Sequence, residues 1–359
     1  MESNLLEISI LSLFSFFSFF SFLVFVKFSK KIGNGILLDN DFQKPQAFHS
    51  ESISRSGGIV SILLLIFFLL IYNLLYSEIL LDYLFISIGI FLIGFLEDIK
   101  INFQPYIRLT LMIALLVVCI NLFNLNLESV DLNILESWLK NKFFLNIFIL
   151  LCFLFIINGA NLIDGFNGLL AINIIIINSL LLFINLENEY FQFSIFLMAQ
   201  IIILICFLLF NFPHAKIFFG DGGSYLFGTL VSLNIIYTNN LNPQISSFFF
   251  CILLFYLFFE VFFSFFRKIL SGKSPLKPDG NHLHMCMFKL LTKKTKIKNI
   301  NALNSFVINV FFCLLVVPSV YFRENGIVCK YWFLILLFLY CLSYLKINKT
   351  LVKVTDNMD

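Results

Sequence analysis

Apolar runs of roughly 18 or more residues, the length a helix needs to cross a bilayer, recur from one end of this chain to the other. Eleven can be marked, at 5–27, 58–77, 79–96, 107–123, 143–160, 168–185, 192–211, 223–239, 245–266, 303–322 and 331–346. Within them apolar residues follow one another without the alternation of a membrane barrel strand, so the pattern predicts helices. A helix also satisfies its backbone polar groups internally, as hydrocarbon requires. The expected fold is all-α: a polytopic membrane protein of about 11 transmembrane helices, forming one integral membrane domain over residues 1–359. The third segment is the most polar at its start, where Glu78 and Asp82 lie. The first is longer than a signal peptide's apolar core and lacks a small-residue cleavage site.

Composition narrows the class. The chain is 60% hydrophobic and only 13% charged, which excludes an ordinary soluble protein. Its eight cysteines are scattered singly with no C-x-x-C pair, so they read as small apolar packers rather than a zinc or disulfide framework. The charges are distributed unevenly. Of the 24 Lys and Arg residues, the connections on one side carry all but Lys140, Lys142, Arg323 and Lys330. The positive-inside rule then places the N-terminus outside and the C-terminus in the cytoplasm. The loops 28–57, 97–106, 158–167, 212–222 and 267–302 face the cytoplasm on this reading. The expected location is a membrane crossed many times, and no nucleic-acid partner is expected.

The polar clusters fall in those cytoplasmic loops: KPQAFHSESISRSGG (Lys44 to Gly58), GFLEDIK (Gly94 to Lys100) with Arg108 after it, NGANLIDGFNG (Asn158 to Gly168), FFGDGGSYLFG (Phe218 to Gly228) and KPDGNHLH (Lys277 to His284). Glu97 and Asp98 are adjacent carboxylates, so at least one needs a cation, a hydrogen bond or a raised pKa; a solvated helix end is the plainer reading. Asn161 and Asp164 share a face of a helical turn, which also suits a capped helix junction. Asp221 sits in Gly-Asp-Gly-Gly before a helix. Such a turn offers backbone N–H groups to an anion, and a carboxylate there suits Mg²⁺ beside phosphate, although it can also be a simple turn. His282 and His284 alternate in a basic loop. Zinc would need further ligands that local spacing does not supply, so phosphate contact fits better. His49 and Arg55 are similar basic residues before a Gly-Gly helix start. Together these groups form a toolkit for Mg²⁺-assisted phosphoryl transfer.

In this order the five segments resemble the polyprenyl-phosphate N-acetylhexosamine-1-phosphate transferases. The matching residues are Pro45, Gln46, His49, Arg55, Gly57 and Gly58; Glu97 and Asp98; Asn161, Asp164 and Gly165; Gly220 to Gly223; and His282 to His284. Glu260 to Lys268 is similar to the acidic-then-basic stretch that precedes the last motif. The resemblance spans about positions 30 to 290. Two departures stand out: Glu97-Asp98 replaces the commoner Asp-Asp, and Leu283 separates two histidines where the lipid I enzyme carries three in a row. The second makes the chain more similar to the O-antigen and teichoic-acid initiators.

The resemblance implies the reaction. HexNAc-1-phosphate passes from a UDP-N-acetylhexosamine to polyprenyl (undecaprenyl) phosphate, releasing UMP and starting a surface glycan. It implies Mg²⁺ as cofactor, with Mn²⁺ as a substitute, and a membrane lipid as substrate. Asp221 and Asn161 are the implied metal-site residues, and Glu97, Asp98 and Asp164 the implied catalytic carboxylates. Arg55, His49, Asn161, His282 and His284 are the implied substrate contacts, and a homodimer is one option for the assembly. Glu260, inside a span, is expected to hold a basic partner rather than substrate. The rival readings are a membrane transporter, whose charges would sit nearer the midplane, and a lipid I-forming translocase-like enzyme. A CDP-alcohol phosphotransferase is disfavoured, because Asp164-Gly165 is followed by Phe166, Asn167, Gly168 and Leu169, with no Ala-Arg pair.

Overall fold

All eleven apolar segments lie on helices. A computed structural model describes residues 2–29, 31, 35–40, 52–101, 103–127, 130–274 and 279–356. The helices in chain order are α1 (Glu2–Phe28), α2 (Gly57–Tyr76), α3 (Leu81–Asp98), α4 (Pro105–Leu122), α5 (Asn133–Leu139), α6 (Lys142–Ile163), α7 (Leu169–Glu187), α8 (Phe191–Asn211), α9 (Gly220–Leu241), α10 (Ser247–Leu270), α11 (Leu283–Lys294), α12 (Ile300–Val316) and α13 (Gly326–Asp356). A 3-10 turn, Val317–Phe322, extends α12.

Among the described residues, nine helices are long and apolar enough to cross a membrane: α1, α2, α4, α6, α7, α8, α10, α12 with its extension, and α13. The other two expected segments coincide with α3 and α9. Both have the length, but both are more polar. α3 carries Asp82, Glu97 and Asp98, and α9 carries a string of Ser, Thr and Asn side chains.

The polarity of α9 follows from its position. It packs against α2, α3, α6 and α7, and residues Gly222 to Ile236 are buried. A helix enclosed by other helices meets protein, not lipid, so its side chains can bond to neighbours. The Asn234 amide does so in the bundle interior. It donates to Asn178 Oδ1 of α7 at 3.1 Å and Gln200 Oε1 of α8 at 2.8 Å, and accepts from the Tyr83 hydroxyl of α3 at 3.0 Å. Interhelical bonds of this kind average about 0.6 kcal/mol in membranes. The network therefore fixes the register of four helices more than it adds to total stability.

Two polar stretches contain structure that the hydrophobic pattern did not reveal. Loop 267–302 includes the 12-residue helix α11, which packs on α12 and α13 and buries Met285 and Cys286 while its last turn carries Lys293 and Lys294. Its apolar face is too short to register as a span. Loop 28–57 contains an antiparallel pair, β1 (Leu38–Asp39) and β2 (Ile53–Ser54). Ser54 also bridges to Ile217, which ties this pair to the chain entering α9.

Helices α6 and α10 approach very closely at Gly159, where an added Cβ would fall on the Leu257 carbonyl oxygen. A backbone atom cannot swing aside as a side chain can. Gly159→Ala should therefore destabilise the bundle by roughly 1–3 kcal/mol. Gly165, which has nothing within 4 Å of such a Cβ, should accept Ala with little effect. Thermal unfolding of the two variants in detergent checks the contrast; equal melting temperatures would contradict it.

Candidate active site

The last residues of α3 emerge past the apolar run 79–96 and meet the first turn of α9. The buried Asp98 carboxylate accepts from two backbone amides there, Asp221 N to Oδ1 and Gly222 N to Oδ2, both at 2.9 Å. These amides belong to a helix N-terminus that has no partners of its own, so a carboxylate is favoured by both hydrogen bonding and the helix dipole. Gly220 makes the contact possible. Its φ is +74°, and a Cβ would lie 2.6 Å from the Asp98 carboxylate oxygens.

Arg55 arrives from the other side. Its Nη1 is 3.6 Å from Asp98 Oδ1, while Nη2 and Nε bond to Asp39 Oδ2 at 2.7 and 3.1 Å. The segment is fastened to the entry of α9 by its backbone: Phe218 N donates to Ser54 O, Gly57 N to Phe218 O and Gly58 N to Phe219 O, at 2.8 to 2.9 Å. Added Cβ atoms at Gly57 and Gly58 would come within 2.6 Å of that backbone. The R-x-G-G and G-D-G-G motifs are thus two halves of one contact. Burial alone would lower the Arg55 pKa, but Asp39, Asp221 and Asp98 together raise it.

Asp221 is held from two directions. Asn161 Nδ2 bonds to its Oδ1 at 3.2 Å and to Ser224 Oγ at 3.0 Å. Arg108, at the start of α4, is 3.1 Å from Asp221 Oδ2 and 3.7 Å from Glu97 Oε2. Asp164 caps the C-terminus of α6, one turn beyond Asn161. Burial first, then the charges of Asp221 and Asp98, push its carboxyl well above the usual range, with Arg55 opposing. Burial and then Asp221 likewise push Asp98 up to about 8, against the amides and Arg55. Glu97, Asp98, Asp164 and Asp221 therefore form one acidic group in which four carboxyls crowd two arginines, and fully ionised it would carry more negative charge than they offset.

That excess suits a divalent cation. The carboxylate and amide oxygens available are the hard ligands that Mg²⁺ takes, and Glu97 Oε2 is buried without a hydrogen-bond partner. Among the described residues no three His, Cys, Asp or Glu side chains form a closed metal cage. Mg²⁺ does not need one, since it usually binds one or two carboxylates together with phosphate oxygens and water.

The histidine motif forms a second cluster. His282 and His284 are buried, and their rings stack at 5.6 Å. Glu260 of α10 joins them: His282 Nδ1 is 3.1 Å from Oε2, and Leu283 N donates to Oε1 at 3.2 Å with His284 Nδ1 at 3.4 Å. Tyr256 Oη lies 3.3 Å from His284 Nδ1. Glu260 thus faces basic partners. His282 Nε2 is 3.4 Å from Asp279, which Arg267 grips at 2.7 and 3.1 Å. Burial would raise the Asp279 carboxyl, but the guanidinium holds it below its usual range. Burial lowers the His284 imidazole despite Glu260, and its Nε2 has no partner. The ring of Phe166, two residues past Asp164, packs edge-on against His284 at 5.7 Å. The two clusters therefore adjoin through the Asp164 loop.

Arg55, Glu97, Asp98, Asn161, Asp164 and Asp221 all come together, and His282 and His284 line up behind them, with both His282 nitrogens turned to Glu260 and Asp279 and the His284 Nδ1 turned to Glu260. His49, with Pro45 and Gln46, lies outside the described residues. Sequence reasoning assigned no role to Asp39, Ser224, Asp279 or Tyr256. Asp39 and Ser224 act through Arg55 and Asn161, distant in sequence, and Tyr256 and Asp279 through the histidine and arginine groups that the fold brings against them. Arg108 was visible beside the Glu97 motif, but its pairing with Asp221 spans 113 residues.

Residues 80–239 match the family model for glycosyl transferase family 4. The chain is also 26% identical, over 71% of its length and 75% of the relative's, to an undecaprenyl-phosphate alpha-N-acetylglucosaminyl 1-phosphate transferase of Thermotoga maritima. The likeness to glycosyl transferase family 4 lies in residues 80–239, which run from α3 to α9, the helices whose ends hold Glu97, Asp98, Asn161, Asp164 and Asp221.

Proposed function

We propose that this protein transfers HexNAc-1-phosphate from a UDP-N-acetylhexosamine to a polyprenyl phosphate, yielding UMP and a polyprenyl-diphosphate sugar that initiates a surface glycan. The observation that carries this reading is the acidic group Glu97, Asp98, Asp164 and Asp221, flanked by Arg55 and Arg108 at one end of a membrane bundle. The Thermotoga relative, named for undecaprenyl phosphate and a sugar-1-phosphate, supports the same substrates. We place eleven spans in the membrane, the N-terminus outside and the acidic group facing the cytoplasm, where the Lys and Arg bias supports it.

The chemistry asks for charge control more than covalent help. A lipid phosphate and a UDP-sugar bring about four negative charges, since a phosphate monoester's second pKa is near 6. Bound Mg²⁺ would neutralise phosphate oxygens and polarise the phosphorus under attack. Asp221 is best placed to hold it, because its carboxylate is partly exposed and Asn161 orients it. Arg55 and Arg108 lie where they can meet phosphate, exchanging carboxylate partners for substrate. Asp98 orients the first turn of α9 and so sets where Asp221 points. Asp164, charged when cations are present, rounds out the site at the C-terminus of α6. His282 and His284 contribute by holding the α11 entrance against the Asp164 loop, and the partnerless Nε2 of His284 is the ring nitrogen left for a phosphate contact.

Two outcomes follow. Asp221→Asn should abolish Mg²⁺-dependent UMP release from polyprenyl phosphate and a panel of UDP-sugars, while melting and elution stay unchanged; near-normal turnover would refute the metal role. Asp98→Asn replaces one acceptor oxygen by a donor facing an N–H group. It should lower stability by roughly 1–3 kcal/mol as well as activity, read as a drop in melting temperature. Unaltered melting would mean that the α9 turn does not depend on this carboxylate.

A further inference from the structure

A groove of about 460 Å³ runs between α10, α11, α12 and α13, outside the acidic group. Its walls are apolar, formed by Phe255, Leu290, Phe311 and Leu339 among others, and one end carries Lys294 and Lys346. Phe311 and Leu339 are exposed, so the groove opens to the membrane side of the bundle. The volume lies within the roughly 300–1,000 Å³ of small-molecule pockets, enough for a hydrocarbon chain.

We propose that this groove binds an anionic phospholipid, with one acyl chain against Phe311 and Leu339 and the phosphate on Lys294 and Lys346. Charge complementarity selects the occupant. Both lysines are exposed, and the exposed Lys293, Lys296, Lys298 and Lys349 lie within four residues of one or the other along the chain, adding basic charge at the end of an apolar slot. Juxtamembrane lysines attract anionic headgroups in just this arrangement. The position argues against the acceptor lipid of the proposed reaction. Helix α11 begins at the histidine motif, and at about 1.5 Å per residue its Lys294 lies about 16 Å further along the axis. A phosphate held there is displaced from the carboxylates, so its lipid is a bystander to transfer. It has a structural consequence all the same. Tyr256 and Leu283 line the groove and also touch the Glu260 and histidine cluster. An occupied groove would brace the wall behind His282 and His284.

The inference does not rest on the transfer reaction, and its test measures lipid alone. The full chain is reconstituted in bilayers of equal phosphatidylglycerol and phosphatidylcholine, extracted in mild detergent, and its retained lipid quantified by mass spectrometry. The wild type should keep phosphatidylglycerol in preference to phosphatidylcholine. The K294Q/K346Q double variant should lose that preference roughly tenfold or more, since both lysines act near the headgroup. Leu339→Trp, which fills the slot, should lose the bound lipid of either kind, with melting checked to confirm the fold. Equal retention of the two lipids by the wild type, or an unchanged ratio in the double variant, overturns the proposal. So does displacement of phosphatidylglycerol by added polyprenyl phosphate, which would make the groove the acceptor's channel.

Discussion

The two hydrogen bonds from the first turn of α9 to Asp98 join the polar ends of α3 and α9, and most of the site hangs from that junction. They fix the direction of the Gly220 turn, hence the direction of Asp221, hence where Asn161 and Arg108 can reach it. The junction is costly to assemble, because a buried carboxylate must be compensated. It is compensated by donors that the helix N-terminus leaves unused and by Arg55 at 3.6 Å. The same turn is also the seat of Gly57 and Gly58. A disturbance at Asp98 therefore reaches the R-x-G-G segment through Phe218 and Phe219.

The two clusters differ in how their charge is balanced. Around Glu260 and Asp279, each carboxylate has a basic partner within 3.1 Å, so that cluster is closed on itself. Around Asp221 the arginines are shared among Asp39, Glu97, Asp98 and Asp221, and Asp164 is left with its pKa held up. A site that must accept cations and polyanions in turn is served by carboxyls that can give up a proton when a cation arrives. The closed cluster suits a structural brace, and the open one suits substrate.

The bundle was largely legible in the sequence because lipid demands long apolar helices, and that demand is written in runs such as 192–211. α9 shows where legibility ends. Its Ser, Thr and Asn content reads as a weak span because hydropathy assumes a lipid neighbour, whereas its neighbours are α3, α6 and α7. α11 is short and amphipathic, so it reads as a basic loop. Within the site, Glu97, Asp98, Asn161, Asp164 and Asp221 were visible because each stands in a glycine-rich or acidic motif at a helix end. Asp39 was not, since an Asp in loop 28–57, with Asp41 two residues on, signals nothing until Arg55 is seen bonded to it. The histidines were visible as residues but not in orientation. Only the fold reveals that Glu260, 22 residues upstream, faces His282.

On the proposed reaction, the adjacent carboxylates Glu97 and Asp98 take different roles, and their geometry separates them. A general base must offer a lone pair within reach of the proton it takes. Both Asp98 oxygens already accept an amide proton at 2.9 Å in a buried position, so the carboxylate serves better as a strut than as a base. Little would be gained from a base in any case, because a lipid phosphate is already mostly ionised at neutral pH. Glu97 is the freer group: partly exposed, with one oxygen lacking a hydrogen-bond partner and Arg108 at 3.7 Å. The commoner Asp at this position has one methylene fewer, so Glu keeps the charge on a longer chain, and here its carboxylate lies 3.7 Å from Arg108. Position 98, by contrast, works by a fixed fit to two N–H groups, which Asp satisfies at 2.9 Å.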